Sequence, residues 1–416
     1  MASSPRPPAV PWLTILGIGD NGLDSLTPAA RLLFDEAQAV IAPERVLHAI
    51  PAAALAGKTV TPWTSRVHET IRALHQRRGE PVTILATGDP LHYGIAASLA
   101  RSIPYDEIRT IPHPSGFSLA ANRLGWPLQD VDCLSLHGRA VARIQLFIEP
   151  GNRLLALTSN GETVSQAASL LVGRGFENSR LSVLEHIGGT RERILHLTAA
   201  EAVHCKDFAD FNMLAVECIA GPRAILQSRL AGLPNDAFRH DGQLTKREVR
   251  AATLAALAPY PNALLWDIGA GCGSVAIEWM RAARGARAIA FERDPRRLAM
   301  IAENAPMLGV PDLGIIAGSA PECLPAAAED HKPDAVFIGG GLAGMGVFDA
   351  AWTALRPGGV LVANTVTLEG EAGAIALQAA HGGDLVRLDV AHLTQVGRMR
   401  ALEPRMSVLQ WRVLKP

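Results

Sequence analysis

With 416 residues, 48% of them apolar but only 5% aromatic, and 38 glycines, the chain has room for two or three domains and a composition suited to α/β layers with close helix–sheet packing. A formal net charge of −1 provides no general field for nucleic acid, so an anionic substrate has to be held by local arginines. Five cysteines without a C-x-x-C pair argue against a disulfide framework or a metal site, and the lack of a long apolar run or signal pattern predicts a soluble, cytoplasmic protein with no membrane partner.

The Pro/Ser-rich stretch 1–11 reads as a disordered arm. Leu13 to Gly19 is a strand entering a glycine turn, and Thr27-Pro28 supplies an N-cap and an N1 proline for a helix to about Ala39. Val40-Ile41-Ala42 and Thr59-Val60 read as short strands, and Arg66 to Arg78 as a surface helix. Val82 to Ala86 is a buried strand that breaks at Thr87-Gly88-Asp89-Pro90, before Leu91-His92-Tyr93-Gly94 leads into another helix. Asp-Pro after a glycine forces a turn and presents backbone groups at the sheet's carboxyl edge, where open α/β sheets bind ligands. Ser115-Gly116-Phe117-Ser118 bends into a helix to Leu124, and Leu136-His137-Gly138-Arg139 closes a strand. Leu154 to Thr158 is a strand, Glu162 to Val172 a helix, and the stretches 181–185, 193–197 and 213–217 read as further strands.

In order, the Gly17-Ile18-Gly19 turn with Thr27-Pro28, the loop from Ala86 to Gly94, the Ser115 bend and Leu136-His137-Gly138-Arg139 resemble the tetrapyrrole methylases. The resemblance covers about residues 12–220 and departs at Asp20-Asn21-Gly22, where that family often has Gly-Pro-Gly. It implies a domain over 12–225 made of two α/β lobes, about 12–113 and 114–225, with S-adenosylmethionine in the cleft between them. Gly17, Gly88, Asp89, Tyr93 and Ser115 are then the cofactor contacts.

Turn signals crowd residues 222–241, which places a linker over 226–240 and a second domain over 241–416. Thr245-Lys246-Arg247-Glu248 reads as a capping box opening a helix to Leu257, with Thr245 either a cap alone or also a ligand contact. Leu264 to Ile268 is a buried strand, Gly269-Ala270-Gly271-Cys272-Gly273 a tight turn, and Ser274 opens a helix. Glycines at 269, 271 and 273 let the chain turn sharply and a ligand lie against it. The next strand stops at Glu292, spaced like the acid that takes ribose hydroxyls in dinucleotide folds. The spacing G-x-G-x-G with Asp267 two residues ahead nevertheless differs from the dinucleotide fingerprint, and Asp267 suits a nucleoside whose tail carries an ammonium. An ordinary α/β turn and a nicotinamide site are the alternatives. Later strands end at Gly318-Ser319-Ala320-Pro321, at Gly339-Gly340-Gly341 and at Asn364-Thr365, and two more complete a seven-stranded sheet.

Leu244 to Arg250, Asp267 to Ser274, Phe291 to Asp294, Gly318 to Pro321, Asp334 to Gly341 and Ala363 to Glu369 resemble the smaller corrin-pathway methyltransferases. Together the two resemblances predict an N-terminal two-lobed tetrapyrrole methylase fold followed by a C-terminal Rossmann-like seven-stranded methyltransferase fold. The fused order is similar to the decarboxylating C-methyltransferases of cobalamin synthesis. That likeness implies methylation of C5 and C15 of a precorrin-6 type macrocycle and loss of carbon dioxide from its ring C acetate. The cofactor contacts expected in the second domain are Thr245, Asp267, Gly269, Gly271, Gly273, Glu292, Ser319, Ala320 and Gly339. His137, Asn364 and Glu369 are the candidate proton-transfer and polar contacts. Arg123, Arg139, Arg143, Lys246, Arg398 and Arg400 are candidates for the substrate carboxylates, whereas Arg296 and Arg297 read as a solvated helix face. The expected partner is a small tetrapyrrole and not nucleic acid, with a homo-oligomer, a tetramer through the C-terminal domain, as the assembly. The rivals are an RNA methyltransferase and a chain in which one of the two folds is a non-catalytic scaffold.

Overall fold

The computed structural model describes residues 11–63, 67–324 and 332–416. The expected arm, apart from Pro11, and Arg66 at the start of the expected surface helix lie outside the described residues. The chain divides into two compact units, one of residues up to Val141 with Pro150–Ala224, the other of Ala142–Glu149 with Ile225–Pro416.

The first unit contains two five-stranded sheets. One is built from β1 (Leu13–Ile18), β2 (Ala39–Pro43), β3 (Thr59–Trp63), β4 (Val82–Thr87) and β5 (Ile108–Ile111), in the order β3-β2-β4-β1-β5, and every pairing is parallel. β1 and β4 read as continuous apolar runs because both faces of a parallel sheet are covered. The helix after β1 runs Pro28–Glu36, with the Thr27 hydroxyl accepting from the Ala30 amide at 3.3 Å. It ends short of Ala39 because Ala37 is already extended, and Lys58 Nζ donates to the Asp35 and Ala37 carbonyls at 2.8 and 2.7 Å. The second sheet comprises β6 (Asp132–Ser135), β7 (Arg153–Leu157), β8 (Arg180–Glu185), β9 (Arg193–Thr198) and β10 (Asn212–Glu217), ordered β6-β7-β10-β8-β9. Only the β6–β7 pair in it is parallel.

The second unit carries β11 (Leu264–Ile268), β12 (Arg287–Glu292), β13 (Gly314–Ala317), β14 (Ala335–Ile338), β15 (Val360–Thr365), β16 (Asp384–Leu388), β17 (Ala391–Val396), β18 (Met399–Pro404) and β19 (Val408–Leu414). Seven of these form the expected sheet, ordered β13-β12-β11-β14-β15-β19-β16, with β19 antiparallel to both β15 and β16. One face is covered by helices 247–257, 274–282 and 295–307, which bring Leu254, Trp279 and Ile301 into its core. The other face buries Trp266, Phe291, Phe348 and Trp411. Chain order reverses between β11 and β14, so a crevice opens at their carboxyl ends.

Two expectations are corrected here, and one element is added. Residues 226–240 are not a free linker, since Leu233 and Phe238 are buried in the second unit's core. The capping box is not formed: the helix runs Arg247–Leu257, Lys246 is its N-cap without a side-chain bond, and Asn235 Oδ1 takes the Arg247 amide at 3.0 Å. Between β16 and β19 the chain adds the β17–β18 hairpin, a separate two-stranded sheet with Leu393, Val396, Met399 and Leu402 exposed. Among the described residues no helix is long and apolar enough to cross a membrane.

Candidate active sites

In the first unit three of the expected segments meet at the carboxyl end of β1. A Cβ on Gly17 would stand 2.3 Å from both the Gly88 carbonyl oxygen and the His113 amide nitrogen. A Cβ on Gly88, at φ +69°, would in turn lie 3.4 Å from the Cα of Ser115. Gly17 is therefore required by the contact of three loops, not by a ligand lying on it. Asp89 turns its own loop, Oδ1 accepting from the Leu91 amide at 2.8 Å. Tyr93 sits at φ +57°, a left-handed conformation that costs a non-glycine residue energy and clusters at functional sites. Its hydroxyl donates to the Cys133 carbonyl at 2.9 Å, and the Arg139 guanidinium lies 5.6 Å over its ring. Tyr93 and Arg139 are thus brought together, beside the Phe117 ring at 5.7 Å.

Other expected contacts are already committed. Ser115 is buried, and its hydroxyl caps helix Gly116–Leu124 by accepting from the Ser118 amide at 3.1 Å, so only its backbone can serve a ligand. Arg123 grips Glu192 in a bidentate pair, Nε and Nη2 at 2.6 and 3.0 Å, which removes it from the substrate candidates. The hydrogen bonds from Arg123 hold the Glu192 carboxyl below its ordinary range. Arg143 groups with the second unit, where it ion-pairs with Asp312. His137 is exposed, with Nδ1 3.2 Å from the Thr158 carbonyl oxygen. Because a carbonyl only accepts, Nδ1 carries the proton and Nε2 is left as a base.

A charged cluster beside this crevice was not anticipated. Asp20, at the position that departs from the family turn, accepts from Arg45 Nη1 and lies 3.5 Å from His186 Nδ1. Arg45 also donates to Thr87 Oγ1 at 3.1 Å and stacks 3.7 Å over Phe211. His186 has φ +48° and receives Arg191 Nη2 at 3.5 Å. The one sequence signal was the departure of this turn from Gly-Pro-Gly; the partners of Asp20 are up to 166 residues away and no local pattern marks them.

In the second unit Gly269, Gly271 and Gly273 have φ of +72°, +60° and +82°, which explains the three glycines directly. Asp267, at the carboxyl end of β11, is buried at 1% exposure. Its Oδ2 accepts from the Ala276 amide at 3.0 Å, in the first turn of helix Ser274–Ala282, while Oδ1 has no hydrogen-bond partner among the described residues. Burial raises its carboxyl to about 7, against the Ala276 hydrogen bond, with the Glu292 charge adding to the rise. Glu292 is saturated more fully than a plain ribose clamp would be. Its Oε2 accepts from the Gly271 amide at 2.9 Å, and Oε1 from the Arg293 and Asp294 amides at 2.8 and 2.9 Å. Glu292 therefore shapes the glycine turn first and keeps acceptor capacity on Oε2 for one further donor.

Ser319 and Ala320 follow β13 next to Glu292, whose carbonyl takes the Gly318 amide at 3.0 Å. At the chain reversal a Cβ on Gly339 would lie 3.3 Å from the Gly269 carbonyl oxygen, so the β11 and β14 turns touch. Thr245 is half-buried and, among the described residues, its hydroxyl makes no hydrogen bond; Lys246 Nζ folds back on the Gly242 carbonyl at 2.9 Å. Asn364, expected as a polar contact to the macrocycle, is buried in a network with Thr253 Oγ1 at 2.8 Å and Gln410 Nε2 at 3.0 Å, so its side chain is committed within the fold. Glu369 is exposed in the first turn of helix Leu368–His381 with no ion partner among the described residues. Arg398 and Arg400 stand on the exposed β17–β18 hairpin, which reaches the helix at Arg247 through His392 Nε2, 3.6 Å from Glu248. Arg297 is not merely solvated: it donates to Asp241 Oδ2 at 2.8 Å and Gln243 Oε1 at 2.7 Å.

Two unlike α/β units, each with a glycine-built crevice at strand carboxyl ends, define a two-domain methyltransferase. Residues 13–203 match the family described as Tetrapyrrole (Corrin/Porphyrin) Methylases, and residues 236–415 match the Precorrin methyltransferase domain. The chain is 45% identical to a Precorrin-6Y C(5,15)-methyltransferase (decarboxylating) from Sinorhizobium sp., with 96% of each chain covered. It is also 30% identical to the Cobalt-precorrin-7 C(5)-methyltransferase of Salmonella typhimurium, over 49% of this chain and 96% of that one. A Cobalt-precorrin-6B C(15)-methyltransferase (decarboxylating) of the same organism is 33% identical, over 40% of this chain and 85% of that one. The chain belongs to the precorrin-6Y C(5,15)-methyltransferase (decarboxylating) family.

Proposed function

We propose that this chain uses S-adenosylmethionine to methylate C5 and C15 of a precorrin-6 type macrocycle and removes carbon dioxide from the acetate on ring C. C15 methylation and decarboxylation fall to the second unit and C5 methylation to the first. The observation that carries this reading is the likeness over 96% of both chains to a relative named for both positions and for decarboxylation. A nucleoside with an ammonium tail fits the second crevice: Asp267 Oδ1 is a buried acceptor without a partner among the described residues, and Glu292 retains an acceptor beside the glycine turn.

The donor supplies an electrophilic methyl on a sulfonium. An enamine-like meso carbon of the macrocycle forms the new C–C bond as the S–C bond breaks, and its C–H proton then leaves. The protein's share is alignment, water exclusion and proton handling, and holding two reactants in line can supply roughly 7–11 kcal/mol of a barrier. In the first unit His137 Nε2 takes the proton, and Arg139, held over Tyr93, receives a substrate carboxylate. In the second, Glu369 contacts the macrocycle, while the substrate's own protonated imine accepts the electrons released with carbon dioxide. Arg398 and Arg400 are the exposed cations left for its carboxylates.

The exposed apolar side chains of the β17–β18 hairpin support association of the second unit with further copies of itself, as a tetramer. The reaction belongs in the cytoplasm, where its donor is made. Mass spectrometry of the product from purified protein, S-adenosylmethionine and the macrocycle tests the reading. Gain of two methyl groups with loss of one carbon dioxide is expected; an unchanged macrocycle would refute it.

A further inference from the structure

The second unit buries a complete ion pair between two of its helices, Arg247–Leu257 and Ser274–Ala282. Arg250 and Glu278 have side chains 0% and 2% exposed, with Arg250 Nε donating to Glu278 Oε1 at 2.6 Å. Their remaining valences all go to one segment, residues 232–245. Glu278 accepts the Gly232 and Leu233 amides at 2.6 and 3.0 Å. Arg250 donates to the Leu233 carbonyl and, at 2.5 Å, to the Thr245 carbonyl, and its guanidinium stacks 4.7 Å over Phe238. Such a pair is weak evidence for stability, because desolvating two charges offsets most of their attraction and apolar replacements often fold as well.

The same segment is tied directly to the glycine turn. Asn304, 0% exposed, takes the Arg239 amide on Oδ1 at 2.8 Å. Its Nδ2 donates both to the Arg239 carbonyl at 2.9 Å and to the Cys272 carbonyl at 3.0 Å. Arg297 holds Asp241 and Gln243, and the Gln243 carbonyl oxygen lies 3.5 Å from where a Cβ on Gly271 would be. Backbone that carries the uncommitted Thr245 hydroxyl is thus fixed against the turn shaped by Glu292.

We infer that residues 232–245 form a preset wall of the second unit's donor crevice, with Arg250, Glu278, Asn304 and Arg297 as its positioning residues. The inference rests on the proposed donor site in that unit and adds what sets its shape. The buried charges serve geometry: they hold the wall at its donor-bound position, so ordering it does not weaken binding.

The test is carbon dioxide release by the full-length protein as a function of S-adenosylmethionine concentration, with melting followed in parallel. Replacing the pair by apolar residues of similar volume, Arg250→Met with Glu278→Leu, also takes their partners from the Gly232 and Leu233 amides and the Leu233 and Thr245 carbonyls, and is expected to lower the melting temperature of a protein that still folds. The donor KM is expected to rise roughly ten-fold or more while kcat stays within about two-fold. A double variant that folds and keeps its donor KM would overturn the inference. Arg297→Ala touches no buried charge and covers the case in which the double variant does not fold. It is expected to raise the donor KM by roughly three-fold, and an unchanged KM there would also overturn the inference. Should the parent protein itself release no carbon dioxide, the functional reading fails instead, and by a different sign.

Discussion

At the end of β1, Gly17 is hemmed in by the Gly88 carbonyl and the His113 amide, with no space for even a methyl group. At the end of β11, Gly271 has only the Gln243 carbonyl near its Cβ position, and its amide is held by the Glu292 carboxylate. One crevice is therefore shaped by backbone packed on backbone. The other is shaped by carboxylates and amides buried under a turn that stays roomy. On the proposed reading, a methyl donor is met by two physical strategies in one chain, with opposite sensitivities. Steric change should damage the first site, and change of charge or hydrogen bonding the second.

The largest expected effect is electrostatic and confined to the second unit. Asp267 is raised from the ordinary carboxylate value to about 7, so the folded state holds its proton more tightly than the unfolded chain does. The stability this provides is complete below the unfolded value and is lost as pH climbs through about 7. The full difference corresponds to roughly 4 kcal/mol. Asp267→Asn should remove this loss, melting above the parent at pH 8 and close to it at pH 4.5; identical pH dependence in the two proteins would show that the buried carboxyl is not the source.

Next comes the steric arm. Gly17→Ala must separate three loops, and a displacement of about 1 Å can cost roughly 100-fold in rate. C5 methylation should fall by that order while carbon dioxide release persists, as product analysis can establish. Glu292→Gln keeps the shape but replaces an acceptor of three amides by a group with half its acceptor capacity. It should raise the donor KM for carbon dioxide release by roughly ten-fold and leave C5 methylation alone. The smallest effect is a control: Thr27→Ala removes an N-cap and should cost about 1 kcal/mol of stability without altering either activity.

Much of this was legible in the chain. The glycine turns, the alternation of strands and helices and the seven-stranded sheet follow from apolar runs that stop at glycine or acid, which is local information. Thr27 capping the Pro28 helix is local too, and the structure has it. What sequence reasoning missed depends on long-range contact. Thr245 looks like a cap, yet Asn235, ten residues earlier, takes the Arg247 amide instead. Asn364 looks like a polar group at a strand end, yet Thr253 and Gln410 bury it. Arg123 and Arg297 carry no mark in sequence that separates a committed guanidinium from a free one; only their partners Glu192 and Asp241 decide it. The β17–β18 hairpin escaped notice because apolar side chains on it face solvent rather than a core.

The most direct test of two unlike donor sites in one polypeptide is a calorimetric titration of the full-length protein with S-adenosylhomocysteine. Two equivalents bound per chain are expected, falling to one in the Gly17→Ala variant. A single equivalent in the parent protein would contradict the assignment of a donor crevice to each unit.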